Sequence, residues 1–328
     1  MTRIVSPTIL VKGTAGLGNR MLAAMTASLF ATVTNRRLMF DWRDPIFTGK
    51  SGVAPDLFTE LFTSPLCEPL PATIEADSVA PALWQGRLNE TLAVVGRDHD
   101  PLFYKKYGSF RKLAASLKQV HFPEQLLVFW SWREVLRPLR KHLIQQDSRY
   151  RNMSNRDVLR EAANRFVVPC DAVRSYVDQF VAENFKQNML GVHIRATDLQ
   201  APVEKLLKTA VDVVRRNQCD GVFCATDNGE VEDRARRLLP NVVTLPKELP
   251  KTAIPLHYDP DCQSRVERAR QALSDILLLS KCQHLVYASR SSFGYVASLY
   301  ASETQRTIDV DQYNLKIRAK QYLQSWTY

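Results

Sequence analysis

No stretch of this chain holds about 18 consecutive apolar residues, so nothing in it reads as a membrane-spanning helix. The opening "MTRIVSPTILVKG" carries too short an apolar run for a secretory leader, and a glycine-rich loop cuts it off at once. The six cysteines, Cys67, Cys170, Cys219, Cys224, Cys262 and Cys282, form no C-x-x-C pair and no cysteine and histidine cluster. That spacing speaks against structural zinc and a disulfide scaffold, and fits a reducing compartment. Internal repeats and low-complexity segments are missing too. Basic residues interleaved with aromatics, as nucleic-acid grooves require, are sparse beyond "FWSWR" at 129–133.

What remains is an ordinary globular composition. The 328 residues are 45% hydrophobic and 24% charged, enough for two domains of roughly 150 residues each. Net charge is +10, which favours an anionic partner. The excess is local. Between Arg133 and Arg165 stand nine Lys or Arg against four Asp or Glu, either a solvated helical face or a surface for an anionic acceptor or carrier.

Short apolar runs alternate with amphipathic stretches, the pattern of an α/β protein with mainly parallel sheets. "TILV" (8–11) predicts a strand, "KGTAGLGNR" a loop, and Met21, Met25, Leu29 and Val33 the apolar face of a helix from about Asn19. "RRLMFDW" (36–42) and "QLLVFWSW" (125–132) predict further strands, with loops and short elements over 44–101. In the second half, strands are predicted at 189–195, 221–227, 241–246 and 284–289. Helices are predicted at 202–216, 229–240, 266–282 and 292–301. The expected domains are 1–186 and 187–328, the second Rossmann-like.

Four stretches carry candidate chemistry. In "VHIRATD", His193, Arg195 and Thr197 share one face of a strand. An arginine at a strand's carboxyl end offers a fixed, permanently charged fork suited to phosphate, or simply a structural pair with Asp198. In "GTAGLGNR", Gly16 and Gly18 permit close backbone approach before a helix start, and Asn19 and Arg20 follow. The third glycine of a dinucleotide fingerprint is replaced by Met21, yet Asp41 ends the next strand where a ribose-binding acid would stand. In "FCATDN", Asp227 lies just past a strand as a hydroxyl ligand or a helix cap. In "SDILLLSKCQHLVYASRSSFGYVA", Asp275 sits in an apolar helix and needs a donor, which guanine or the protein itself supplies. Ser291 and Ser292 open a helix, as caps or phosphate donors.

The order G-L-G-N-R, H-x-R, A-T-D, D-I-x-x-L-S, S-S-F resembles the H-x-R fucosyltransferase superfamily of α1,6-, α1,2- and protein O-fucosyltransferases. Bacterial nodulation enzymes and the core α1,6-fucosyltransferase are the members it is most like. "PKELPKTAIPLHYDP" (246–260) looks like a loop of the nodulation enzymes. The likeness covers roughly 8–42 and 188–302, and departs from the family at Ala196, where many relatives carry a second basic residue.

The resemblance implies a GT-B fold of two Rossmann-like domains facing a cleft. It also implies inverting, metal-independent transfer from GDP-fucose, with no separate cofactor. By carry-over, Arg195 binds the β-phosphate, His193 and Asp275 recognise guanine, Ser292 touches phosphate, Asp227 lines the nucleotide, and Asn19 and Arg20 approach the diphosphate. Asp198 is the expected catalytic base, with Glu204 second. A D-x-D triplet in a metal-site context is not expected. The expectation is therefore a glycosyltransferase of the bacterial cytoplasm, acting on a carbohydrate such as a chitooligosaccharide or surface polysaccharide. Nucleic acid and integral membrane segments play no part in it. The rivals are an NAD-dependent oxidoreductase built on Asp41 and a non-catalytic glycan- or polyanion-binding protein using 133–165.

Overall fold

The computed structural model describes residues 2–4, 6–44, 56–102, 112–196, 201–247 and 264–325. It divides into two compact units, Met1–Val168 with Ala319–Tyr328, and Pro169–Arg318.

In the first unit, strand β1 (Thr8–Lys12) leads into helix α1 (Leu17–Thr34) and strand β2 (Arg37–Asp41). Strands β3 (Val79–Ala80) and β4 (Leu126–Phe129) complete a parallel sheet in the order β2-β1-β4-β3. Every residue of β1 is buried, as a parallel strand covered on both faces requires. Helix α1 begins two residues before the expected Asn19 and is buried nearly all round rather than on one face. Its small residues Ala23, Ala24, Ala27 and Ala31 allow close packing, including against helix α2 (Asn155–Phe166). Thr26 and Ser28, inside α1, donate their hydroxyls to the carbonyls of Leu22 and Ala24. The basic 133–165 stretch is laced internally: Arg149 bridges Asp147 and Glu161, and Arg140 donates to the Met153 carbonyl.

The division falls at 168/169 rather than at the expected 186/187. Helix α3 (Asp171–Asn184) belongs to the second unit because Val173, Val177 and Phe180 form one apolar stripe that packs there. The Phe180 ring meets Phe223 edge-on, centroids 6.3 Å apart.

The second unit alternates strictly. Strand β5 (Met189–Ile194) is followed by α4 (Val203–Asn217), β6 (Gly221–Thr226), α5 (Gly229–Leu238) and β7 (Val242–Val243). Then come α6 (Arg265–Lys281), β8 (His284–Tyr287), α7 (Ser292–Tyr300) and β9 (Arg306–Asp309). All strands are parallel, in the order β7-β6-β5-β8-β9. Leu190, Val192 and Ile194 of β5 pack against Leu206, Leu207, Ala210 and Val213 of α4. The chain winds outward from β5 in one direction, then returns to wind in the other, which is the Rossmann arrangement.

Candidate functional site

A doubly wound sheet offers its ligand crevice at the carboxyl ends of the strands, where the winding reverses. Here the reversal lies between β5 and β8, and the residues leaving β5, β6 and β8 are those of the H-x-R, A-T-D and S-S-F stretches.

His193, on β5, is buried and its ring stacks on Phe293 of α7, centroids 4.7 Å apart and planes within 14°. Burial, then the charges of Arg195 and Lys247, lower its pKa to about 3. The imidazole is therefore neutral at physiological pH, with one donor and one acceptor nitrogen. Arg195 follows β5 and is half-buried. Asp227, just past β6, accepts a 2.8 Å hydrogen bond from the Ala196 backbone N–H through Oδ1. The β6 end thus pins the backbone immediately after Arg195. That contact needs only a main-chain amide, so Ala196 serves it as well as a basic residue would. Thr197 and Asp198 lie outside the described residues, as does most of the 246–260 stretch.

Asp275, on α6, is buried, and its Oδ2 lies 2.7 Å from the Lys247 ammonium. Its Oδ1 is buried with no hydrogen-bond partner among the described residues. Burial pushes the Asp275 carboxyl above its ordinary range, with Lys247 pulling the other way. Lys247 lies in the 246–260 stretch that the sequence singles out, but nothing there marks it as the partner of a carboxylate 28 residues further on.

Ser291 occupies the N-cap position of α7 without capping it through its hydroxyl, and Ser292 is that helix's first residue. The turn before them is braced from β9. Arg290 reaches Asp311 through two bonds of 2.9 and 2.7 Å, and Asp309 Oδ1 accepts from the Ser289 and Asp311 amides at 2.9 Å each. Asp309 and Asp311 do form a D-x-D triplet, and these bonds hold the β8–α7 turn. Gly294 allows the first turn of α7 to press on β8, since a Cβ there would lie 2.5 Å from the Tyr287 Cβ.

The glycine-rich loop of the first unit is built differently from its sequence reading. The left-handed residue is Ala15, at φ 58°, while Gly16 at φ −72° has an ordinary backbone and Gly18 is already inside α1. Arg20 is only 1% exposed. Its Nε donates to the Ala15 carbonyl at 3.0 Å, and the guanidinium pairs with Asp44 and lies 5.7 Å over the Trp42 ring. Gly13 is the glycine the fold demands, because a Cβ there would fall 2.0 Å from Arg20 Nη1. Asn19 donates to the Trp132 carbonyl at 2.6 Å.

Asp41 is spoken for within the same unit. Its Oδ2 receives Lys12 at 2.6 Å and its Oδ1 receives Arg43 at 2.9 Å. Burial opposes the Asp41 charge, but the Lys12 and Arg43 cations outweigh it and hold the carboxyl below its usual range. Glu204 is exposed and pairs with Arg234 at 2.6 Å.

Comparison by sequence with family models and with curated proteins finds no match. Comparison by structure does. NodZ α-1,6-fucosyltransferase soaked with GDP-fucose aligns at a TM-score of 0.61 and 18% identity, over 94% of this chain and 97% of that one. The fucosyltransferase NodZ from Bradyrhizobium gives the same score and identity over 94% and 96%. A point mutant of Arabidopsis thaliana FUT1 in complex with GDP aligns at 0.60 and 13% identity, over 92% of this chain and 72% of that one. The chain has the two-unit α/β fold of these GT-B fucosyltransferases.

Proposed function

We propose that the chain is a glycosyltransferase moving fucose from GDP-fucose to a carbohydrate acceptor. The reading rests on one observation above the others: the winding of the second unit reverses beside Arg195, whose following backbone is fixed by Asp227. When the bond from fucose C1 to the β-phosphate oxygen breaks, negative charge gathers on GDP. A preorganised cation there stabilises the transition state more than the ground state. The acceptor hydroxyl attacks C1 from the opposite face with inversion, its proton passes to a base, and GDP leaves. We assign the cation to Arg195, without a metal ion, and the base to Asp198. The α7 amides at Ser291 and Ser292 suit the phosphates, a helix N-terminus being a natural anion site.

Asp275 and Lys247 together supply what a guanine edge complements. The open Oδ1 accepts from guanine N1–H while the ammonium beside it donates to O6, and adenine presents the reverse pattern. His193 adds a neutral donor and acceptor. On the first unit taken by itself, the amides that open α1 at Gly16 and Gly18 are proposed as an anion contact, with Asn19 and Arg20 shaping that loop. We propose a chitooligosaccharide or surface polysaccharide as acceptor, and the bacterial cytoplasm as setting. Against the oxidoreductase alternative stands Asp41, whose two oxygens are both committed to cations.

Calorimetric titration of wild type and Arg195→Ala with GDP, ADP and NAD in the presence of EDTA tests the reading. The expected result is selective GDP binding that weakens with the substitution, together with a transfer rate lowered on the order of 100- to 1000-fold. Retention of NAD, or failure to bind any of the three, would overturn it.

A further inference from the structure

The second unit carries a cavity of about 390 Å³ at the edge of the sheet where β5, β8 and β9 begin, opposite the carboxyl-end cluster. Asn188, Lys281, His284, Ser302, Thr304 and Arg306 are among its lining residues, and none of the described lining residues is acidic. The parallel register sets His284 of β8 opposite Arg306 of β9 on one side and Leu190 of β5 on the other. Paired residues in adjacent strands share a face, and so does Asn188, two residues before Leu190. The grouping is therefore fixed by the sheet rather than by flexible loops.

His284 is 8% exposed, and among the described residues no group hydrogen-bonds to its imidazole. Its ring nitrogens stay accessible, so they are open to a polar group that enters the cavity. Burial and the nearby Arg306 charge favour the neutral ring, which brings one donor and one acceptor. Among the described residues no carboxylate pairs with Arg306, while Lys281 lies 2.9 Å from Asp178 at the rim. The Ser302 and Thr304 hydroxyls are 2.8 Å apart and have capacity left for a further polar group. Arg306, with Lys281 shared with Asp178, beside amide, hydroxyl and imidazole groups matches an anion that also carries hydroxyls. The volume suits a small metabolite.

We propose that this cavity is a second small-molecule site, taking a hydroxylated anion of the sugar phosphate class through Arg306, Lys281 and His284. Such a ligand binds by its anionic group at Arg306 and Lys281, with sugar hydroxyls toward His284, Asn188 and the Ser302–Thr304 pair.

Titration of the full chain with glucose 6-phosphate, glucose and inorganic phosphate tests this, using wild type, Arg306→Ala and Arg195→Ala. The expected result is binding of glucose 6-phosphate above both fragments, weakened about tenfold or more by Arg306→Ala and retained in Arg195→Ala. Arg306 is exposed on an edge strand, so the variant should keep the wild-type melting temperature. No binding of glucose 6-phosphate would overturn the proposal, as would equal binding of inorganic phosphate, which would leave no role for the sugar. Binding lost in Arg195→Ala but kept in Arg306→Ala would place the probe at the carboxyl-end cluster and overturn it equally.

Discussion

Ala15 holds a left-handed backbone that costs an L-residue more than a glycine. Replacing it by glycine removes that strain while adding unfolded-state entropy, for a net gain of about 0.5–1 kcal/mol. Urea unfolding of Ala15→Gly should show the midpoint move upward. Lys247 and Asp275 make the opposite kind of site, a buried pair whose separation leaves a charge alone. Lys247→Met should destabilise by about 3 kcal/mol at neutral pH. The sign with pH follows from Asp275. Its carboxyl titrates higher in the folded state than in the unfolded chain, so its contribution declines as pH rises from about 4 through the folded value. Lys247 opposes that decline, and its loss should steepen it. Unfolding at pH 5 and pH 8 should therefore show a wider gap between variant and wild type at pH 8. Arg20 shows why such sites escape a sequence reading. Beside two glycines it reads as a ligand-facing cation, whereas its partner Asp44 stands 24 residues away and only the fold brings them together.

Among elements, β5, β6 and β8 were legible because each is a short apolar run bounded by helices, and the residues that leave them were legible with them. β9 was not. Its four residues, Arg306 to Asp309, form an edge strand with a mostly polar, partly exposed pattern that carries no core signal. With β9 unforeseen, the brace from Asp309 and Asp311 onto the β8–α7 turn was unforeseen too. Helix α3 had a clear apolar stripe, but a stripe states that a face is buried and not which sheet buries it, hence the misplaced boundary. The α7–β8 packing makes a sharp prediction. Gly294→Ala puts a methyl against the Tyr287 Cβ and should cost about 1–3 kcal/mol despite alanine's better helix propensity. Because Ser291 and Ser292 must move with the helix, GDP affinity should fall in the same variant. An unchanged midpoint and affinity would mean that the helix slides away freely.

At the scale of the molecule, the second unit is one continuous stretch, 169–318, while the first is assembled from 1–168 and 319–328. A continuous unit with its own parallel sheet and core should fold alone. The excised 169–318 fragment is expected to unfold cooperatively in urea; a gradual, featureless transition would count against it. The closing segment of the first unit is held in part by Tyr322, whose ring lies 4.4 Å from the Arg137 guanidinium, an exposed contact worth about 0.5–1 kcal/mol. That the second unit is inserted in the sequence of the first has a mechanical consequence. Handles attached at residues 6 and 325 both grip the first unit, so tension runs through that unit alone while its closing segment stays docked. The second unit lies off the load path. In a stretching experiment it should bear force only after 319–325 has peeled away, so extension arrives in two steps, the first set by a weak latch.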